Sequence, residues 1–252
     1  MEDEMKRLRA YVNEHLWDER TAFLYDRYGD GTLCTTKGIG AFWALQADAL
    51  DRERLDRMVA HLSDTTEFDR PHRVPSLSAD HPKYNPLGRY WQGGVWPGTN
   101  YMTIDGLYRK GYHDLAREIA ANHYAAVFEV WKNTGTFWEY YAPEKIEPGF
   151  MARKDFVGWT MCIRDRYILG VKSDYSEGRI VWDIEHTEVH GIERYPYGPD
   201  GVVGLKVKRR ASAGETPSVS VETNVPFDLT VTWGDGRSRT VRVEKSGSVK
   251  LN

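Results

Sequence analysis

Two stretches decide how this 252-residue chain is read: Gly88-Arg89-Tyr90-Trp91-Gln92-Gly93-Gly94-Val95-Trp96-Pro97-Gly98-Thr99-Asn100-Tyr101 and Gly135-Thr136-Phe137-Trp138-Glu139-Tyr140-Tyr141-Ala142-Pro143. The first runs into a helix, since Pro97 suits a first helical turn, where its missing N–H would be unpaired anyway. The second follows a helix expected over His113–Trp131. Around them the apolar spacing is helical: Met5, Leu8, Val12 and Leu16 share one face, and Leu55, Met58, Val59 and Leu62 another. Helices over Ile39–Leu50, over Pro97–Lys110 and from about Asp155, with Asp155 as N-cap, bring the expected total to six.

From Arg179 onward the texture changes to short β-branched runs: Ile180-Val181-Trp182, Val219-Ser220-Val221, Leu229–Trp233 and Thr240–Val243. Turn signals such as Pro199-Asp200-Gly201 and Gly234-Asp235-Gly236 separate them. The expectation is a helical part over 1–170 and a small antiparallel, sandwich-like β-module over 171–252. Seven of the nine tryptophans precede residue 170.

Lys and Arg number 34 against 37 Asp and Glu, a net charge of -3. That gives no general pull toward nucleic acid or acidic lipid. No run of about 18 apolar residues could cross a membrane, and the first residues do not resemble a signal peptide. Two cysteines are too few for a disulfide framework or a zinc site, so a reducing cytoplasmic setting is expected. No cofactor and no metal are called for. His61, His72 and His81 fall in one stretch, and His186 and His190 stand four apart in a β-type run, but neither set has the spacing of a metal motif.

The two aromatic loops suit a carbohydrate. Sugars offer apolar C–H faces and a rim of hydroxyls, which aromatic platforms beside amides and carboxylates complement. Glu139 sits among Phe137, Trp138, Tyr140 and Tyr141, where burial would push a carboxyl pKa toward the range of a general base. Alternatives stand beside each reading. Trp43, Trp91, Trp96 and Trp138 are also good core residues, Gln92 and Asn100 could satisfy backbone groups, and Asp155 could cap a helix as well as touch a ligand.

At Tyr90–Tyr101, Trp138–Pro143 and Asp155–Trp159 the chain resembles the (α/α)6-toroid glycoside hydrolases of the mannosylglycerate hydrolase-like, processing α-glucosidase and trehalase-related group. The resemblance implies an inverting glycosidase cleaving an α-glycosidic bond, with Glu139 as general base. It also implies a sugar subsite shaped by Trp43, Tyr90, Trp91, Gln92, Trp96, Asn100, Trp138, Tyr141, Asp155 and Trp159. The family's general-acid aspartate lies well upstream of the Tyr-Trp-x-Gly stretch, and nothing before Tyr90 matches its setting. A toroid has twelve helices against the six expected here, so the chain looks like the C-terminal half of such an enzyme, with the missing N-terminal half as its expected partner. A non-catalytic carbohydrate-binding or interaction fragment is the alternative. Gln92 and Gly94 stand where the family often has arginine and proline, which weakens the expectation of an acidic aglycone.

Met161-Cys162-Ile163-Arg164-Asp165-Arg166 breaks the last helical pattern, where the family has a Gly/Pro-rich and then apolar stretch. Three successive charges on a core helix need partners or solvent. The string is also one reading frame of a common sequencing-library adapter, so a junction foreign to the native helix is expected. Resequencing codons 155–172 of the source DNA tests it.

Overall fold

The computed structural model describes residues 2–156 and 159–251. The chain divides into two compact units, Met1–Ile163 and Arg164–Asn252. The division falls inside the six-residue string rather than after Gly170.

The first unit is built on helices. α1 (Glu2–His15) carries Glu2, Asp3 and Glu4 in its first turn and His15 in its last, complementing the helix dipole. Of its expected apolar face, Val12 and Leu16 are half-buried while Met5 and Leu8 stay exposed. A two-residue hairpin follows, β1 (Trp17–Asp18) with β2 (Phe23–Leu24). α2 (Arg52–Ala60) is capped by Asp51, whose side chain accepts from Arg54 N at 2.9 Å. Its face Leu55, Met58 and Val59 is buried as the spacing predicts, and Leu62 joins them from the 3₁₀ turn His61–Ser63.

The expected helix over Ile39–Leu50 is instead a 3₁₀ helix over Ile39–Gln46. Its buried residues, Ile39, Phe42 and Leu45, recur every third position, the period of a 3₁₀ helix. Trp43 is thereby turned outward, 46% exposed. α3 (Pro97–Arg109) packs on this segment through Gly106, where an added Cβ would lie 2.5 Å from Leu45 Cβ. α4 (His113–Thr134) lies against α3 and ends at Gly135, whose φ of 74° supplies the left-handed cap. Phe42 meets Phe23 and Phe68 edge-on, with ring centroids 5.6 and 5.1 Å away.

The last helix differs from expectation. Asp155 has φ of 65° in a bend, whereas an N-cap residue is normally extended. α5 covers only Thr160–Ile163, and Arg164–Ile168 continues as a π turn. Val157 and Gly158, inside the Asp155–Trp159 stretch, lie outside the described residues.

From Val171 the second unit is built of strands, so a helical unit is followed by a β unit as the change in sequence texture suggests. β3 (Val171–Asp174), β4 (Arg179–Ile184), β8 (Phe227–Trp233) and β9 (Arg237–Val243) form one sheet in the order β3-β4-β8-β9. β5 (His190–Tyr197), β6 (Gly201–Val207), β7 (Val219–Thr223) and β10 (Gly247–Val249) form the other, ordered β10-β7-β6-β5. One pair departs from the antiparallel expectation: β4 and β8 run parallel, with Ile180 opposite Leu229 and Trp182 opposite Val231. Alternate residues of β6 and β8 turn inward to a core centred on Trp182, Phe227, Leu229 and Val231. Arg210 is buried and donates to the carbonyls of Ala213, Glu215, Ile184 and His186 at 2.7–3.1 Å.

Asp165 lies at the start of this unit with its side chain 14% exposed, bonded to Arg164. Burial raises its carboxyl pKa despite that guanidinium. A raised folded-state pKa means that the folded unit holds the proton more tightly than the unfolded chain. Stability is therefore greatest below the unfolded value and falls as pH rises through the folded one. Asp165→Asn is expected to raise the melting temperature of the Arg164–Asn252 unit at pH 7 and to leave it nearly unchanged at pH 3. Calorimetry at the two pH values checks this, and a destabilising effect at pH 7 would contradict it.

Candidate active site

The two aromatic loops are laced together by backbone. Val95 N donates to Tyr141 O at 2.9 Å and Tyr141 N to Val95 O at 3.0 Å. This single bridge places Trp96, at the extended N-cap of α3, 4.5 Å from Tyr140 with the rings 30° apart. Gly94 is required there, because a Cβ would lie 2.5 Å from Tyr90 O and 3.0 Å from Tyr140 Cδ2. A third segment closes the arrangement: Glu139 N donates to Arg153 O at 2.9 Å, Gly149 N to Tyr140 O at 3.0 Å and Phe150 N to Leu87 O at 2.8 Å.

A hollow of about 410 Å³ opens on this platform, lined by Trp43, Trp96, Pro97, Gly98, Thr99, Met102, Glu139, Phe156 and Trp159. Trp43 and Trp159 leave about half of their surface to solvent, at 46% and 53% exposed. Soluble proteins rarely leave several large aromatics open on one face without a binding role. Glu139 is half-buried, and its carboxylate makes no hydrogen bond or ion pair among the described residues. Among the described residues it is also the only carboxylate lining the hollow. The side chain therefore keeps its acceptor capacity for a water or a sugar hydroxyl, in a site whose other walls are mostly apolar.

Trp43, Trp96, Trp159 and Glu139 are thus brought together as the sequence suggests; their neighbour Phe156 lies within the Asp155–Trp159 stretch without being among the expected subsite residues, and Met102 carries no sequence signal that singles it out. Tyr90 lines an adjoining hollow that shares Glu139. Trp91 stacks on Trp96 at 4.5 Å and 14° without reaching the first hollow. Gln92 is held by its backbone, its N–H on Arg89 O and its carbonyl on Asn85 N–H, and lines neither hollow. Three further residues have core partners instead. Asn100 is fully buried, with Nδ2 3.4 Å from both Arg73 O and His123 Nδ1. Trp138 donates its backbone N–H to the hydroxyl of buried Tyr141 at 3.1 Å, and its indole N–H to Thr134 Oγ1 at 3.1 Å. Asp155 is exposed, accepts from Thr136 Oγ1 at 2.9 Å and lines neither hollow.

The three histidines of one stretch go to different partners. His61 Nδ1 meets Glu67 at 2.5 Å, His81 Nε2 lies 3.5 Å from Thr36 Oγ1, and His72 Nε2 is 3.0 Å from His123 Nδ1. Among the described residues no group of three His, Cys, Asp or Glu could hold a metal. The His72–His123 pair is fully buried behind the site, and His123 Nε2 reaches Thr160 Oγ1, next to Trp159, at 3.3 Å.

The sequence model of the mannosylglycerate hydrolase MGH1-like glycoside hydrolase domain matches residues 1–156, a span that holds both aromatic loops and Glu139. This chain belongs to that glycoside hydrolase family. A mannosylglycerate hydrolase of Rubrobacter radiotolerans is 29% identical over 60% of the chain and 33% of its own length. A probable mannosyl-oligosaccharide glucosidase of Schizosaccharomyces pombe is 29% identical over 64% and 22%. The chain spans less than half the length of these curated relatives. Among solved structures, neutral trehalase Nth1 from Saccharomyces cerevisiae shares the fold over 67% of the chain and 30% of its own, with a TM-score of 0.53 at 18% identity. No helix of the described residues is long and apolar enough to cross a membrane.

Within the family frame, the tight packing around Tyr140 is open to test. A Cβ at Gly149 would lie 2.2 Å from Tyr140 Cδ2 and 3.0 Å from Gly88 O. Gly149→Ala is expected to displace Tyr140 from Trp96 and to weaken sugar binding at least ten-fold, with the helical unit still folded by circular dichroism. Unchanged affinity would show that the platform does not depend on this contact.

Proposed function

We propose that this chain carries the sugar subsite and general base of an inverting α-glycosidase. The observation that carries the reading is the free carboxylate of Glu139 on the wall of an aromatic hollow. Trp43, Trp96 and Trp159 would hold the apolar faces of the sugar. Glu139 would take a proton from a water attacking the anomeric carbon on the face opposite the departing oxygen. Tyr90, Trp91, Gln92, Asn100, Trp138, Tyr141 and Asp155 would support that subsite at one remove, by stacking on or pinning the loops that form it. The aspartic acid that protonates the leaving oxygen would come from a complementing toroid segment, consistent with a chain that spans 33% of a mannosylglycerate hydrolase.

One observation favours the second reading, sugar binding without hydrolysis: an inverting pair needs two carboxyl groups and, among the described residues, the hollow has one. Both readings require binding. Titrating the chain with methyl α-D-mannoside and methyl α-D-glucoside should give a saturable change in tryptophan fluorescence with at least one of them. Trp159→Ala should weaken it at least ten-fold. No saturation with either glycoside, confirmed by calorimetry, would overturn both readings.

A further inference from the structure

Trp159 lines the aromatic hollow with 53% of its surface open, on a segment that has little hold of its own. α5 is a single turn, joined to Trp159 by Ile163 N–H on Trp159 O at 3.0 Å. So short a helix keeps its place only through tertiary contacts. The indole rests over Gly98, where an added Cβ would lie 3.4 Å from Nε1, and beside Tyr101, with ring centroids 5.1 Å apart at 44°. Apolar packing of this kind is non-directional.

A directional tie comes from the next residue. Thr160 is buried, and His123 Nε2, from the middle of α4, lies 3.3 Å from its Oγ1. The order of donors and acceptors along this contact follows from one carbonyl. Asn100 Nδ2 lies 3.4 Å from Arg73 O, which only accepts, and 3.4 Å from His123 Nδ1. An amide nitrogen only donates, so Nδ1 of His123 is an acceptor. His72 Nε2 meets the same nitrogen at 3.0 Å and donates to it as well. Burial keeps the His123 ring neutral, so its one proton sits on Nε2 and is given to Thr160 Oγ1. Arg73, Asn100 and His72 thus select the tautomer, and the tautomer fastens α5 to α4 immediately beside Trp159.

We propose that His123 is a positioning residue for the hollow: through its hydrogen bond to Thr160 it sets the Trp159 indole against the apolar face of a bound saccharide. The proposal rests on the reading of the hollow as a sugar site.

Two pairs of substitutions separate positioning from packing. Thr160→Val keeps the size of the side chain and removes the acceptor, whereas Thr160→Ser keeps the hydroxyl. His123→Asn retains an acceptor near the place of Nδ1 but falls short of Thr160, whereas His123→Gln carries an amide donor to about the place of Nε2. Affinity for methyl α-D-mannoside or methyl α-D-glucoside, whichever saturates the wild type, is read by calorimetry. It should fall about five-fold in Thr160→Val and His123→Asn, and stay within about two-fold in Thr160→Ser and His123→Gln. In a Trp159→Ala background Thr160→Val should weaken binding no further, because the effect runs through the indole. Unchanged affinity in folded Thr160→Val, or an equal loss with and without Trp159, would overturn the proposal. Should His123→Asn not fold, the Thr160 pair decides alone.

Fluorotryptophan labelling supplies a readout that needs no sugar. The fluorine resonance missing from Trp159→Phe belongs to Trp159, and it should shift or broaden in His123→Asn and hold its position in His123→Gln. A shifted resonance with no glycoside binding would keep the tie to Trp159 and remove the sugar reading. Glycoside binding with resonance and affinity unmoved by both pairs would keep the sugar reading and remove the positioning role, so the two fail separately.

Discussion

In the enzyme completed by the segment that supplies the general acid, Glu139→Gln is expected to lower kcat for α-glycoside hydrolysis by about 10³-fold, with glycoside binding and the melting temperature unchanged. Glutamine keeps the size and the hydrogen-bonding reach of the side chain, so a water can still be held in the hollow. It cannot take the proton as the water attacks. Because the carboxylate has no protein partner among the described residues, the substitution strands no arginine or lysine, and a loss of folding is not expected. Azide gives a sharper test, since it is a nucleophile that needs no base. With the variant it should restore turnover, its nitrogen bonding to the anomeric carbon as the glycosidic C–O bond breaks, and it should yield a β-glycosyl azide from an α-glycoside. Full activity in Glu139→Gln would sink the assignment. Saturable glycoside binding with no hydrolysis even after the complementing toroid segment is supplied to the wild type would establish the second reading, a binding chain.

The second large effect is acid unfolding of the helical unit. His72 and His123 are fully buried against each other, and burial holds His72 well below the ordinary histidine range and His123 down to about 3. A second proton on either ring would break the Nε2···Nδ1 contact or leave a cation whose other side-chain partners among the described residues, Asn100 and Thr160, carry no negative charge. A lowered folded-state pKa means that the unfolded chain binds protons first, so stability is full above the unfolded value near 6.5 and is lost as pH falls toward 3. For His123 alone the loss amounts to about 4–5 kcal/mol at the acid end, a large part of the roughly 5–15 kcal/mol that stabilises a domain. The diagnostic window is pH 6.5 to 4.5. Glu144, held below the ordinary carboxylate range by Arg70, contributes stability that is lost only below it. Urea midpoints should therefore fall already between pH 6.5 and 4.5. A flat midpoint across that window would show that the pair is solvated in solution.

What the sequence made legible was local. The two aromatic loops could be read because Pro97, Gly135 and the apolar periods place helices on either side, and because the family motif ties Glu139 to a role. The triple spacing of Ile39, Phe42 and Leu45 was also visible, but it overlaps an α-helical period over so short a run, and only packing on Gly106 separates the two. Distant pairings were not legible. His72 and His123 lie 51 residues apart, and no local pattern marks their contact. Asn100, Trp138 and Tyr141 looked like ligand groups because amides and aromatics serve cores and sugars equally well, and the difference is the direction in which each side chain points.

The parallel pairing of β4 with β8 bears on how the second unit is made. Asp183 and Thr232, side by side across it, are 49 residues apart, and the whole β5-β6-β7 meander lies between them. The hairpins β3-β4 and β8-β9 can each zip locally, but their junction must wait until that long excursion has been drawn in, at an entropic cost set by the closed loop. On an emerging polypeptide β4 would leave the ribosome well before its central neighbour exists, with Ile180, Trp182 and Ile184 temporarily unsheltered. The unit's maturation is thus gated by the arrival of β8 and β9, and a nascent chain halted before Phe227 would be prey for chaperones and proteases rather than a half-built sandwich.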